Sequence, residues 1–284
     1  MNIRVIPRLD IKGPNLVKGI HLEGLRVLGR PEDFARHYYE NGADELYYQD
    51  AVASLYGRNS LLDIVRKTSR EIFIPLCVGG GLRSVDDIRQ VLRAGADKVA
   101  VNTAAVARPE LLREAASTFG SSTIVVSVEA VRRGLGRWET LVDYGREVTG
   151  LDAVDWARKA VDLGAGEVMV TSVDQDGTGA GYDLDLVRAI ADAVSVPVIA
   201  GGGCGLPAHA VSVYRDGHAD AVSMAPVLHY RAARLLAEQS FSHSYREEGN
   251  LEFLKSGKGF GKAEPCTIGD IKRAMSASGI PCRM

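Results

Sequence analysis

Two Gly-Gly-Gly runs, at 79–81 and 201–203, and the pair Asn102-Thr103 present small residues with accessible backbone N–H groups. Such groups cradle anions, phosphate above all, because no side chain blocks the approach of an oxygen. One run alone reads equally well as a tight turn. Two runs at matching places imply two anionic groups held across one site. Each run closes a β-rich stretch, and so do Asp10, Asp50, Glu129, Ala225 and the segment 171–178, which carries Thr171, Asp174, Asp176 and Gly177. Carboxylates and anion cradles thus share the ends of successive strands.

The elements that must position them alternate in type. β-rich runs fall at 3–9, 45–49, 74–78, 98–101, 123–128, 167–171, 196–200 and 219–223, with amphipathic stretches such as 85–92, 109–118 and 151–163 between them. Strands alternating with helices pair in parallel through crossovers. Eight such units predict a closed (β/α)8 barrel, in which chemistry gathers at the C-terminal ends of the strands. The chain also repeats itself. Pro197 stands 122 residues after Pro75 in a matching run, Gly203 stands 122 after Gly81, Gly217 122 after Gly95, and Gly164 122 after Gly42. That period is too long for a solenoid and marks a duplicated half-barrel. No composition break divides the chain, so residues 1–284 are expected to form a single barrel.

Composition excludes several functions. The 284 residues carry 34 Lys+Arg against 36 Asp+Glu, a net charge of −2, and 46% are hydrophobic. This balance gives no basis for binding nucleic acid or an anionic membrane. No apolar run is long enough to cross a bilayer, and the N-terminal segment has no secretory h-region. The four cysteines, Cys77, Cys204, Cys266 and Cys282, form no CxxC pair and have no His at ligand spacing. Disulfides, structural zinc and other metal sites are not expected, no cofactor is implied, and a reducing cytoplasm suits the chain.

Arg8-Leu9-Asp10-Ile11-Lys12 with Val17-Lys18-Gly19, VGGG at 78–81, ADKVAVNTAA at 96–105, TSVDQDGTGAGYD at 171–183 and GGGCG at 201–205 together resemble the cyclase subunit of imidazole glycerol phosphate synthase. The resemblance runs over nearly the whole chain, and DELYYQDAVAS at 44–54 separates it from the sister isomerase barrel. It implies a 1:1 complex with a glutaminase, ammonia passing through the barrel, and a bisphosphorylated ribulosylamine closing to an imidazole at the open face. Its acid/base pair falls on Asp10 and Glu129, with Lys18 and Asp176 beside them. Its phosphate sites fall on Gly80, Gly81, Asn102 and Thr103, and on Gly177, Gly202, Gly203 and Ala225. Asp50, Thr171 and Asp174 are further substrate candidates. Lys18 lies in a glycine-rich stretch, with glycines at 13, 19, 24 and 29, that reads as a mobile lid. At the opposite face Arg4, Glu45, Lys98 and Glu167 start strands. Charges entering a barrel are costly unless paired, and two acids with two bases form a neutral ring, which in the family closes the ammonia channel. Asp97 falls where the family meets its glutaminase.

Several residues depart from that pattern. Glu129 replaces a usual Asp, Tyr144 a small residue, Gly201 a Ser, Pro226 follows Ala225 where Ser is expected, and Arg8 stands two positions before Asp10. Residues 240–265 form an excursion before the last helix. It holds a glycine-lysine stretch that is not a phosphate-binding Walker loop, because position 256 is Ser. Three readings follow. The chain is the histidine-pathway cyclase, or a cyclase-like paralog that channels ammonia to a separate amidotransferase in surface-glycan synthesis, or a stand-alone sugar-phosphate isomerase. Asp10 and Lys18 favour the first, Glu129, Tyr144 and Pro226 the second, and the charged ring opposes the third.

Overall fold

The computed structural model describes residues 2–53, 61–239 and 262–284. Strands follow in the order β1 (Arg4–Lys12), β2 (Asn15–Ile20), β3 (Glu23–Gly29), β4 (Leu46–Asp50), β5 (Leu76–Gly79), β6 (Lys98–Val101), β7 (Ile124–Gly134), β8 (Arg137–Val142), β9 (Glu147–Asp152), β10 (Glu167–Ser172), β11 (Val198–Gly201) and β12 (Ala221–Met224). Between and after them lie α1 (Pro31–Glu40), α2 (Leu62–Thr68), α3 (Val85–Arg93), α4 (Thr103–Ala107), α5 (Glu110–Phe119), α6 (Ala153–Asp162), α7 (Leu184–Ala191), α8 (Pro207–Arg215), α9 (Pro226–Gln239) and α10 (Ile268–Ala277). β1, β4, β5, β6, β7, β10, β11 and β12 pair in parallel, neighbour to neighbour, and β12 returns to β1 with Arg4 beside Ala221. The ring is a (β/α)8 barrel. Its strands are buried on both faces, as parallel strands under a coat of helices require.

The bore is layered. Its middle is an apolar plug with one side chain from each barrel strand, Ile6, Tyr47, Val125 and Met169 among them. A second, larger core joins the outer faces of the strands to the helices, through Phe34, Tyr38, Trp156 and Ile271. Polar side chains occupy the two ends of the bore.

Two strands run past the barrel, in equivalent places of the two halves. β1 continues into an antiparallel ribbon with β2 and β3, and β7 into one with β8 and β9. The first ribbon covers residues expected to form a mobile lid. Leu16, Val17, Leu22 and Leu28 are buried, and the His21 N–H donates to the Asp176 carbonyl at 2.9 Å. In this structure the segment is a paired ribbon packed at the mouth, with its turns exposed.

Helix starts follow local chemistry. Asp152 caps α6 by accepting from the Val154 and Asp155 N–H groups, so the helix starts two residues later than its amphipathic pattern. Thr267 and Asp270 form a reciprocal capping box on α10. Most of the 240–265 excursion lies outside the described residues. Its end is tied to the barrel rim, Lys262 N–H to the Thr178 carbonyl at 2.6 Å and Glu264 N–H to the Gly205 carbonyl at 2.9 Å. Among the described residues no helix is long and apolar enough to cross a membrane.

Candidate functional site

Four charged side chains meet at the C-terminal mouth. Asp10, fully buried on β1, accepts from Arg8 Nε at 2.9 Å and Lys18 Nζ at 3.1 Å. Lys18 Nζ also donates to Asp176 at 2.8 Å, and Arg8 Nη1 reaches across the barrel to Thr171 Oγ1 on β10 at 3.0 Å. Residues two apart on a strand share a face, which is why Arg8 and Asp10 meet. Burial works against the Asp10 carboxylate, but the Arg8 and Lys18 charges outweigh it and hold its pKa well below the ordinary carboxylate range. Lys18 is correspondingly raised, the cost of burial being overcome by Asp10 and Asp176. It is a buried ammonium, 2% exposed and paired with two carboxylates, although its glycine-rich stretch suggested a solvated, mobile charge.

Glu129, on β7, has a different environment. Burial pushes its pKa up to about 7, with Arg8 and the Gly145 N–H opposing that rise. Its Oε2 accepts from Asn102 Nδ2 at 3.1 Å. One carboxyl is therefore held as the anion while the other changes charge near neutrality. That separation is what general acid/base work by two carboxyl groups requires.

The two anion cradles differ in shape. Gly80, Gly81, Asn102, Thr103, Glu129 and Tyr144 line a cavity of about 320 Å³. Gly80 has φ +97°, and a Cβ there would lie 2.6 Å from the Asp50 carbonyl, so only glycine fits. The second cradle, from Gly177, Gly202, Gly203 and Ala225, encloses only about 10 Å³ and is lined also by Arg8, Asp176 and Pro226. Asp50 Oδ1 accepts from the Val52 N–H at 3.0 Å and secures the turn after β4. Asp174 lies apart from the mouth. It accepts from the Arg132 N–H at 2.7 Å and lines an outer recess with Asp183 and Asp185. The structure does not bring it to the cavity shared by Gly80, Asn102 and Glu129.

At the N-terminal end Arg4 contacts Glu45 at 2.6 Å and Glu167 at 3.0 Å, while Lys98 contacts the same two acids at 3.1 and 3.0 Å. The four form a closed, neutral ring under the apolar layer. Asp97, beside it, accepts from the Leu76 N–H at 2.9 Å and is exposed to solvent.

Sequence reasoning missed Tyr47, which belongs to the bore layer, and Ser127, which lines the cavity at the mouth. The Tyr47 hydroxyl donates to Gln49 at 2.9 Å, and the Arg8 guanidinium lies 5.7 Å from the centre of the Tyr47 ring. Strand alternation with Gln49 was the available signal for Tyr47. Among the described residues no group of three or more His, Cys, Asp or Glu is placed to hold a metal ion.

Known proteins are similar to this sequence. A family model described as histidine biosynthesis protein matches residues 4–234. The imidazole glycerol phosphate synthase subunit HisF of Legionella pneumophila is 59% identical over 204 residues, covering 72% of this chain and 96% of its own length. The subunit of the same name from Methanopyrus kandleri is 47% identical over 245 residues, covering 80% of this chain and 90% of its own.

Proposed function

The chain belongs to the histidine biosynthesis protein family, and from that premise we propose that it is the cyclase subunit of imidazole glycerol phosphate synthase. In this reading a glutaminase subunit docks 1:1 on the N-terminal face and releases ammonia beneath the ring of Arg4, Glu45, Lys98 and Glu167. Ammonia crosses the bore to a bisphosphorylated ribulosylamine intermediate at the mouth. Ring closure releases imidazole glycerol phosphate and an aminoimidazole carboxamide ribotide.

The observation that carries this reading is the unequal pair of buried carboxyl groups above a bore closed at its far end by paired charges. Glu129, protonated up to about pH 7, supplies the proton donor. Asp10 stays an anion between Arg8 and Lys18 and serves as acceptor and counter-charge to the developing cation. The two cradles take the two phosphates. Relatives favour this reading over the ammonia-channelling paralog, and a stand-alone isomerase has no use for the charged ring.

The test is ring closure by the purified chain with free ammonia and the bisphosphorylated intermediate. Asp10→Asn keeps the side chain's shape and removes its charge and basicity, so turnover should fall by about 10²–10⁴-fold. Unchanged turnover would remove Asp10 from the chemistry.

A further inference from the structure

Tyr144 lines the cavity at the mouth, held by a turn that bulky residues avoid. Asp143, Tyr144 and Gly145 have φ of +52°, +60° and +74° in succession, a left-handed run costly for the two non-glycine residues. The turn is fastened on both sides of the ring. The Asp143 N–H donates to Thr103 Oγ1 at 3.0 Å, and the Gly145 N–H donates to the Glu129 carboxyl. Leu22, Leu141 and Val173 pack about it. The whole arrangement holds one aromatic side chain over the reacting groups.

The end of that side chain is unsatisfied. Tyr144 is 5% exposed, and its hydroxyl has no hydrogen-bond partner among the described residues. Asp10, Arg8, Asp176 and Glu129 are the charged groups that act on it. On the same cavity wall, Asn102 spends its Nδ2 on Glu129 and on the Leu141 carbonyl at 3.2 Å, while its buried Oδ1 has no partner. Buried polar atoms without partners are rare in folded proteins because each forfeits its hydration. Two on one cavity describe the ligand that completes them. It accepts from or donates to a phenol and donates to an amide oxygen, beside a phosphate cradle.

We propose that Tyr144 is a specificity-determining residue whose phenol, together with Asn102 Oδ1, hydrogen-bonds a hydroxyl group on the phosphorylated arm of the substrate. An alcohol both donates and accepts, so a hydroxyl in this cavity has the chemistry that both orphaned atoms lack. The cavity, about 320 Å³, has room for a phosphate at Gly80 and Gly81 and a short polyol chain reaching Glu129. This deepens the cyclase reading and rests on it only for the identity of the whole substrate.

The experiment is calorimetric titration of glycerol phosphate, propyl phosphate and inorganic phosphate into the full chain and into Tyr144→Phe. The substitution removes only a hydroxyl that makes no hydrogen bond within the described protein. Wild-type protein should bind glycerol phosphate about three- to ten-fold more tightly than propyl phosphate, the range expected for one neutral hydrogen bond. Tyr144→Phe should lose that preference while binding inorganic phosphate as the wild type does. An unchanged preference in the variant, no preference in the wild type, or no binding of either ester would overturn the proposal. The titrations need no turnover, so absence of ring closure in the wild type would count against the cyclase reading alone.

Discussion

Asp10 and Glu129 are both buried carboxyl groups, yet their surroundings drive them apart. Two cations contact Asp10, whereas an amide and a backbone N–H contact Glu129. With Glu129 as donor, activity belongs to its protonated form. Below pH 7 the donor carries its proton, and as pH rises through about 7 it loses it. Measured at constant free ammonia, kcat should therefore fall with a midpoint near pH 7, and Glu129→Gln should abolish that limb along with most of the activity. A profile rising through pH 7 would assign Glu129 as base instead. Both carboxyls were legible from their places at strand ends. Arg8 was visible only as an oddity two residues before Asp10, because its bond to Thr171 spans 163 positions and leaves no local pattern. Lys18 misled for the opposite reason. Glycines around it suggested a solvated charge, but the apolar residues beside it, Leu16 and Val17, are buried and carry it into the mouth.

At the scale of elements, the 122-residue repeat made the barrel readable, and the eight parallel strands follow the expected alternation. The two ribbons escaped because their short β-runs are broken by glycines and by left-handed residues such as His21 and Leu22, whose φ values are +53° and +63°. Such turns read as loops until the pairing partner is known. The cradles show how much the halves have diverged. The first keeps an open cavity, while Pro226 lacks the N–H that another residue would bring to the second, and Arg8 and Asp176 crowd it. A hydrogen bond to a charged oxygen contributes roughly 1.5–3 kcal/mol, so losing one donor weakens phosphate binding by about ten-fold or more. Crystals soaked in phosphate should show higher occupancy at Gly81 and Thr103 than at Gly203 and Ala225. Equal, full occupancy would mean that the second cradle's remaining N–H groups, with Arg8, are sufficient.

Over the whole molecule, chemistry is separated by depth. Paired charges lie at one end of the bore, an apolar layer in the middle, and proton-transfer groups at the other. Breaking a buried ion pair from one side leaves its partner uncompensated. Glu167→Ala strands Arg4 and Lys98 with Glu45 alone, far from the mouth. Ammonia-driven ring closure should persist in this variant, while product formed per glutamine hydrolysed in the complex with the glutaminase should drop. Equal loss of both activities would make the ring a stability element only.

Ring closure at the mouth by ammonia that has crossed the barrel can be followed by tracing nitrogen. The complex is given glutamine labelled with ¹⁵N in its amide, the bisphosphorylated intermediate, and unlabelled ammonia in the solvent. Imidazole glycerol phosphate should carry mainly the glutamine nitrogen, and Glu167→Ala should shift the product toward the solvent isotope. Product labelled in proportion to the solvent pool, or no imidazole product from the wild-type complex, would contradict it.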